Sequence, residues 1–256
     1  MPNGDFLNQP REPILNVPSV VVAVLVVLGL VHAVRELLLP DNIDRALVWT
    51  LAFVPARYDA SALTDGLLPG GSLAEIFSFV TYALLHADLT HIGFNAVWLL
   101  AFGSPVARRF GAWRFLAFLA VTVAAGALAN LLVHAGELAP MIGASAGISG
   151  MMGAAARFAF QPGGSLDFRH GDRGNADRVP AAPLLVALRN PRVLTFLAVW
   201  FGLNLLFGLG SLSLLGESQN VAWEAHVGGF VAGLLLFAVF DPVQPAPALQ
   251  DRHTLH

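Results

Sequence analysis

Apolar residues in this chain gather into long runs, and the polar residues fall between the runs. A helix needs about 20 mostly apolar residues to cross the hydrocarbon core of a bilayer. Six runs approach that length: residues 17–39, 89–107, 113–134, 145–160, 193–210 and 222–240. The pattern predicts an all-α, polytopic membrane protein with six spanning helices, the fourth short and rich in small residues. Residues 1–16 are polar and interrupted by Pro2, Pro10 and Pro13. The run that follows is too long for a signal-peptide core, and no Ala-x-Ala pattern closes it, so it reads as a retained span. The organisation expected is a cytoplasmic segment 1–16, a membrane domain 17–240 and a Pro-rich, disordered tail 241–256.

Two connections are too long to be simple turns. Residues 40–86 hold apolar stretches too short to span, and predict a structured interfacial loop with Trp49 and Phe53 at headgroup depth. Residues 161–190 are rich in Gly, Asp and Arg and read as a mobile loop. Charge is distributed unevenly among the connections. Arg108, Arg109 and Arg114 lie between the second and third spans or in the first turn of the third, and Arg157, Arg169, Arg173, Arg178, Arg189 and Arg192, with three Asp, lie in the last turn of the fourth or between the fourth and fifth. The connections and first turns on the other side carry Asp41, Asp44, Asp59, Asp65, Glu75, Glu137, Glu217 and Glu224 against only Arg45 and Arg57. The positive-inside rule then puts both termini in the cytoplasm, and spans two, four and six all begin at the outer face.

Composition narrows the classes. Charged residues make up 12% of the 256, about half of what a soluble domain carries, and the mean hydropathy is +0.67. A net charge of −3 without a basic patch argues against a nucleic-acid partner. The chain has no cysteine, which excludes disulfides, thiolate catalysis and Cys-ligated zinc. All 14 basic residues are Arg, a usage associated with GC-rich bacterial genomes, so a bacterial cell membrane is the expected location.

Polar groups in or near the spans must find a partner or face water. Three clusters stand out: His86, His91 and Asn95 opening the second span, Ser145 opening the fourth and His226 opening the sixth. At 1.5 Å rise per residue, His226 is only about 6 Å and Asn95 about 9 Å below the start of its helix. The three clusters therefore converge at one shallow depth under the outer face. The set is chemically coherent. A serine needs a base to become a nucleophile at neutral pH. Amide hydrolysis develops an oxyanion that needs preplaced donors. His91 and Asn95, four apart, share a helix face, and the first N–H groups of the fourth helix point to the same region. Gly143, Gly147, Gly150 and Gly153 on the fourth helix and Gly229 and Gly233 on the sixth are spaced for close helix approach. Asn130 and Asn204, inside the third and fifth spans, read as packing glue. Zinc held by His86, His91 and His226 is a conceivable use of the imidazoles, but no His-Glu-x-x-His occurs, so no metal or other cofactor is expected.

These residues carry a family resemblance. Gly143-Ala144-Ser145 with Gly150-Met151-Met152-Gly153, His86-x4-His91-x3-Asn95 running on to Gly103 and Gly111, and Ala225-His226-x2-Gly229-x3-Gly233 resemble the three motifs of the rhomboid serine proteases, in order, over about residues 84–240. The resemblance implies a rhomboid-like bundle around a short central fourth helix. It implies a Ser145 nucleophile, a His226 base, oxyanion donation by His91 and Asn95, and a supporting His86. The partners it implies are transmembrane protein substrates in the lipid bilayer, with no cofactor and an oligomeric state left open. Ala146 stands where the family has Gly, Ser149 where many members stack an aromatic ring on the base, and Ala107 where a Glu is common. The Trp-Arg pair of the family's first loop is not evident. Two alternatives are a rhomboid-like protein that binds transmembrane clients without cutting them, and a small transporter. The polar residues cluster on one side only, which disfavours a through-going path.

Overall fold

A computed structural model describes residues 17–59, 68–167, 176–208 and 222–243. The expected segment 1–16, most of the tail 241–256, Glu217 and the end of the fifth span at 210 lie outside the described residues. The elements used below are α1 (Ser19–Leu38), α2 (Asp41–Leu51), α3 (Gly71–Thr81), α4 (Leu89–Phe110), α5 (Ala112–Val133), α6 (Ser145–Phe158), α7 (Pro191–Gly208) and α8 (Trp223–Phe240). The six predicted spans correspond to α1, α4, α5, α6, α7 and α8. Each starts within a few residues of the apolar run that announced it, and all but α7, whose predicted end lies outside the described residues, also stop within a few residues of it.

The bundle is an integral, multi-pass membrane protein. Helices α1, α4, α5 and α8 are each long and apolar enough to cross a bilayer. Apolar side chains coat the outside, among them Leu30, Leu37, Leu132, Leu235 and Val239. That is the pattern expected where the surrounding solvent is lipid. Among the described residues the chain is otherwise helix, short 3₁₀ turns and one isolated antiparallel bridge, Phe53 with Met141.

Helix α6 sits at the centre. Every residue from Ala146 to Phe158 is buried, which explains why hydropathy alone marks it weakly: a helix surrounded by other helices can be Gly- and Ala-rich. Its 14 residues span about 21 Å, short of the roughly 30 Å hydrocarbon core. One end must therefore stop below a membrane surface.

Glycine lets α8 lie directly on α6. A Cβ on Gly229 would meet the carbonyl of Ala146, one on Gly233 the carbonyl of Gly150, and one on Gly153 the carbonyl of Phe230. The other predicted packing glycines do different work. Gly147 and Gly150 leave no room for a Cβ because Leu119, Val123 and Thr122 of α5 press against them. Gly143 precedes the helix and packs no helix crossing. The α6 glycines thus admit two neighbours, α5 and α8, where the spacing had suggested one.

Within α4, residues Leu99–Gly103 form a π-helical turn just ahead of Pro105. A proline lacks the N–H that the carbonyl four residues earlier would accept, and its ring crowds that carbonyl, so the ladder widens there. Gly111, at φ +75°, then reverses the chain into α5.

The long connections are more ordered than their composition suggests. The described part of residues 40–86 holds α2, a 3₁₀ turn at Pro55–Tyr58, α3 and a second turn at Tyr82–Leu84. Phe53, expected in the interface, is turned into the protein interior. It is fully buried and stacks on Tyr58 with ring centroids 5.3 Å apart. The loop after α6 is pinned where it is described, with Asp167 accepting from Arg192 at 2.8 Å and Ala182 O from Arg157 at 3.1 Å. The cause is burial of charge: Arg109 at the end of α4 bonds both oxygens of Asp241 at 2.8 Å. It also donates to the carbonyls of Asp177 and Val179 at 2.8 Å.

Candidate active site

Ser145 is the first residue of α6 and His226 the fourth of α8. The backbone contact between these helices brings the two side chains within 2.7 Å, Ser145 Oγ to His226 Nε2. Both residues are half-buried, so they lie in a recess and not in the sealed core. Ser149, one turn deeper, is buried and is not the hydroxyl bonded to His226.

The loop before Ser145 is clamped on two sides. Phe53 and Met141 exchange backbone bonds of 3.0 and 2.8 Å, and Gly143 N–H donates to Tyr82 O at 3.0 Å. Tyr82, fully buried, donates its hydroxyl to Val123 O of α5 at 2.8 Å. Ser145 therefore enters its helix from a rigid approach. The N–H groups of Ser145, Ala146 and Gly147 have no helical carbonyl above them to bond, as at every helix start. They carry the positive end of the helix dipole at the Ser145 end of α6.

Gly143 adopts φ +117°, a conformation other residues rarely take. Its missing side chain also opens space. A Cβ there would stand 2.7 Å from His91 Nε2 and 3.7 Å from Ser145 Oγ. His91 Nε2 thus faces the hollow beside the serine. On the other edge of the His91 ring, Nδ1 accepts a long 3.4 Å bond from Ala87 N–H, which leaves the hydrogen on Nε2, directed at the hollow. Asp88 caps α4 by accepting from His91 N–H at 2.8 Å, fixing the turn that carries the ring.

The remaining predicted residues take supporting places. Asn95 is buried one turn below His91 and donates from Nδ2 to His91 O at 2.9 Å. That bond uses one of its two amide hydrogens. His86 is fully buried, its ring 5.0 Å from that of His91 in an edge-to-face pair. Its carbonyl accepts from Arg35 Nη1 at 2.8 Å, while the same guanidinium grips Asp44 at 2.7 and 3.1 Å. The methyl of Ala146 fits because its neighbour on α5 is Gly126, where a second Cβ would collide with it.

Some contributors are missed by sequence reading alone. Arg35 in the last turn of an apolar helix and Asn204 inside another are ionisable or polar groups where lipid surrounds the bundle, a signal in itself. Asn204, expected as packing glue, accepts or shares a 2.6 Å bond with His226 Nδ1. Asp88 follows the N-cap preference for Asp. Tyr82 carries no such local mark. At the C-terminal end of α5, His134 reaches Glu137 at 3.1 Å and Glu224, two residues before His226, at 3.3 Å. Burial works to lower its pKa, but the bonds to the two carboxylates outweigh that and raise it.

A half-buried Ser–His pair, its serine opening a short, enclosed helix ringed by spanning helices, defines a class of intramembrane site. The family comparison agrees with it: the Rhomboid domain model matches residues 73–242. The chain belongs to the rhomboid family, a family of intramembrane serine proteases. Among curated proteins no relative matches it.

Proposed function

We propose that this chain is an active serine endopeptidase that hydrolyses peptide bonds in or near the transmembrane segments of other membrane proteins. The observation that carries the reading is the 2.7 Å contact between Ser145 Oγ and His226 Nε2. His226 takes the hydroxyl proton at Nε2 as Oγ attacks the scissile carbonyl carbon. The carbonyl oxygen becomes an oxyanion in the hollow beside Gly143, where His91 Nε2–H and the first N–H groups of α6 can donate to it. Asn95 supports His91 and offers its second amide hydrogen. The imidazolium then gives its proton to the departing amine nitrogen, the C–N bond breaks, and an acyl ester remains on Ser145. Water, deprotonated by the same imidazole, attacks the ester and restores the serine.

The substrate is a single-span protein that reaches the recess sideways from lipid. Its helix must unwind locally, because a hydrogen-bonded helical amide is shielded from attack. Both termini are assigned to the cytoplasm of a bacterial cell, with the recess opening outward. The alternative, a family member that binds transmembrane clients without cutting them, draws on Ala146. The seat that Gly126 provides for its methyl removes the steric motive for that alternative.

Cleavage of a model single-span substrate in liposomes tests the proposal. Wild type is expected to cut, and Ser145→Ala and His226→Ala to be inert. Cleavage surviving in both variants would refute the dyad, and a wild type that binds substrate without cutting would favour the alternative.

A further inference from the structure

We infer that Asn204 is a positioning residue for His226, holding its imidazole in the one tautomer that can accept the Ser145 proton. Its functional meaning rests on the protease reading above; its geometry does not. Asn204 Oδ1 lies 2.6 Å from His226 Nδ1, on the ring edge opposite Ser145. The orientation of the amide is set independently, because Nδ2 donates to Trp200 O at 2.8 Å. With the nitrogen committed, it is the oxygen that faces the ring, and an amide oxygen only accepts. Nδ1 must then carry the hydrogen. A neutral imidazole has a single N–H, so Nε2 is left with its lone pair toward the serine hydroxyl. That is the protonation pattern a general base requires. The other tautomer would set two lone pairs against each other at Asn204 and turn an N–H toward Ser145.

A second contact fixes the register. Trp200, one turn from Asn204 on α7, stacks on Phe230, one turn from His226 on α8, with centroids 4.6 Å apart and planes 30° from parallel. The two antiparallel helices therefore meet through two rungs, one aromatic and one hydrogen-bonded, each made by side chains four residues apart. Asn204 is buried in a bundle surrounded by lipid, where a polar group left alone is costly and a satisfied one stays bonded. When His226 takes the proton, its Nδ1–H becomes part of a cation, and the bond to Asn204 strengthens. Asn204 thus stabilises the transition state more than the ground state.

The test uses the full chain in detergent or liposomes as wild type, Asn204→Leu and Asn204→Asp. Leucine keeps the bulk and removes the acceptor; aspartate restores an acceptor. Nitrogen-15 NMR of His226, assigned with His226→Gln, reads the tautomer, and cleavage of a model single-span substrate reads kcat and KM. Wild type is expected to show hydrogen on Nδ1 and a lone pair on Nε2. Asn204→Leu is expected to lose that signature and about 10- to 100-fold in kcat, with KM unchanged, and Asn204→Asp to regain most of the kcat. If Asn204→Leu does not fold, Asn204→Ala carries the comparison. A variant without the acceptor that retains both the wild-type tautomer and kcat overturns the inference, as does equal loss in the Leu and Asp variants with the tautomer unchanged. If wild type does not cleave, the protease reading fails, and the tautomer shift alone then decides for or against Asn204.

Discussion

Gly229 of α8 rests on the carbonyl of Ala146 of α6, with no room for a Cβ between them. Ala146 follows Ser145, and Gly229 lies three residues after His226, so this backbone contact sets the distance across the dyad. Gly229→Ala should push the helices apart and cost about 1–3 kcal/mol of stability through overpacking. Hydrolysis should fall by more than the stability loss explains, because the 2.7 Å bond depends on the same spacing. Thermal unfolding in detergent together with a cleavage assay checks this. Normal turnover in a destabilised variant would uncouple the contact from the dyad.

Gly143 predicts a loss of the same kind by a different route. Gly143→Ala introduces strain at a positive φ and fills the hollow between His91 and Ser145. Stability should fall by about 1–3 kcal/mol, the range for a residue held in a sparsely populated backbone region. Turnover should fall about 100-fold or more, as for loss of an oxyanion donor. The comparison to make is kcat at saturating substrate against the fraction folded.

Arg109 governs stability without touching the dyad. It is fully buried against Asp241, and its guanidinium lies over the Phe158 and Phe237 rings. Arg109→Met leaves Asp241 buried and unpaired, a change that costs about 3–5 kcal/mol. The double variant Arg109→Met with Asp241→Leu should recover much of that. Unfolding midpoints of the two variants and of wild type decide the matter; a double variant no better than the single would contradict the ion-pair account.

His134 supplies the pH dependence. Its pKa is raised in the folded protein by Glu137 and Glu224, so the protonated form is favoured by folding. The stabilisation is fully present below the unfolded value of about 6.5 and fades as pH rises through the folded value. Wild type should therefore exceed His134→Gln in thermal stability at about pH 5.5, with the difference shrinking toward about pH 8.5. Unfolding curves for both proteins across that range give the answer. A difference that grew with pH would place the proton elsewhere.

Much of the architecture is legible in the residue pattern, because lipid imposes a length and a polarity on each span. The site is legible for a related reason: Ser145, His226, His91 and Asn95 are polar groups at one depth in an otherwise apolar chain. What the pattern does not carry is direction around a helix axis. The spacing of Gly147 and Gly150 does not say whether they face α5 or α8, and Asn204 reads as glue until its oxygen is seen facing His226. Phe53, apolar in a connecting loop, could lie in the interface or in the core; only its bridge to Met141 decides.

The most direct test of the central claim is labelling by a serine-reactive fluorophosphonate, which reports an activated hydroxyl without any need for a known substrate. The account predicts that wild type and Ser149→Ala are labelled and that Ser145→Ala and His226→Ala are not. Labelling that persists in Ser145→Ala, or disappears in Ser149→Ala while the protein remains folded, would contradict it.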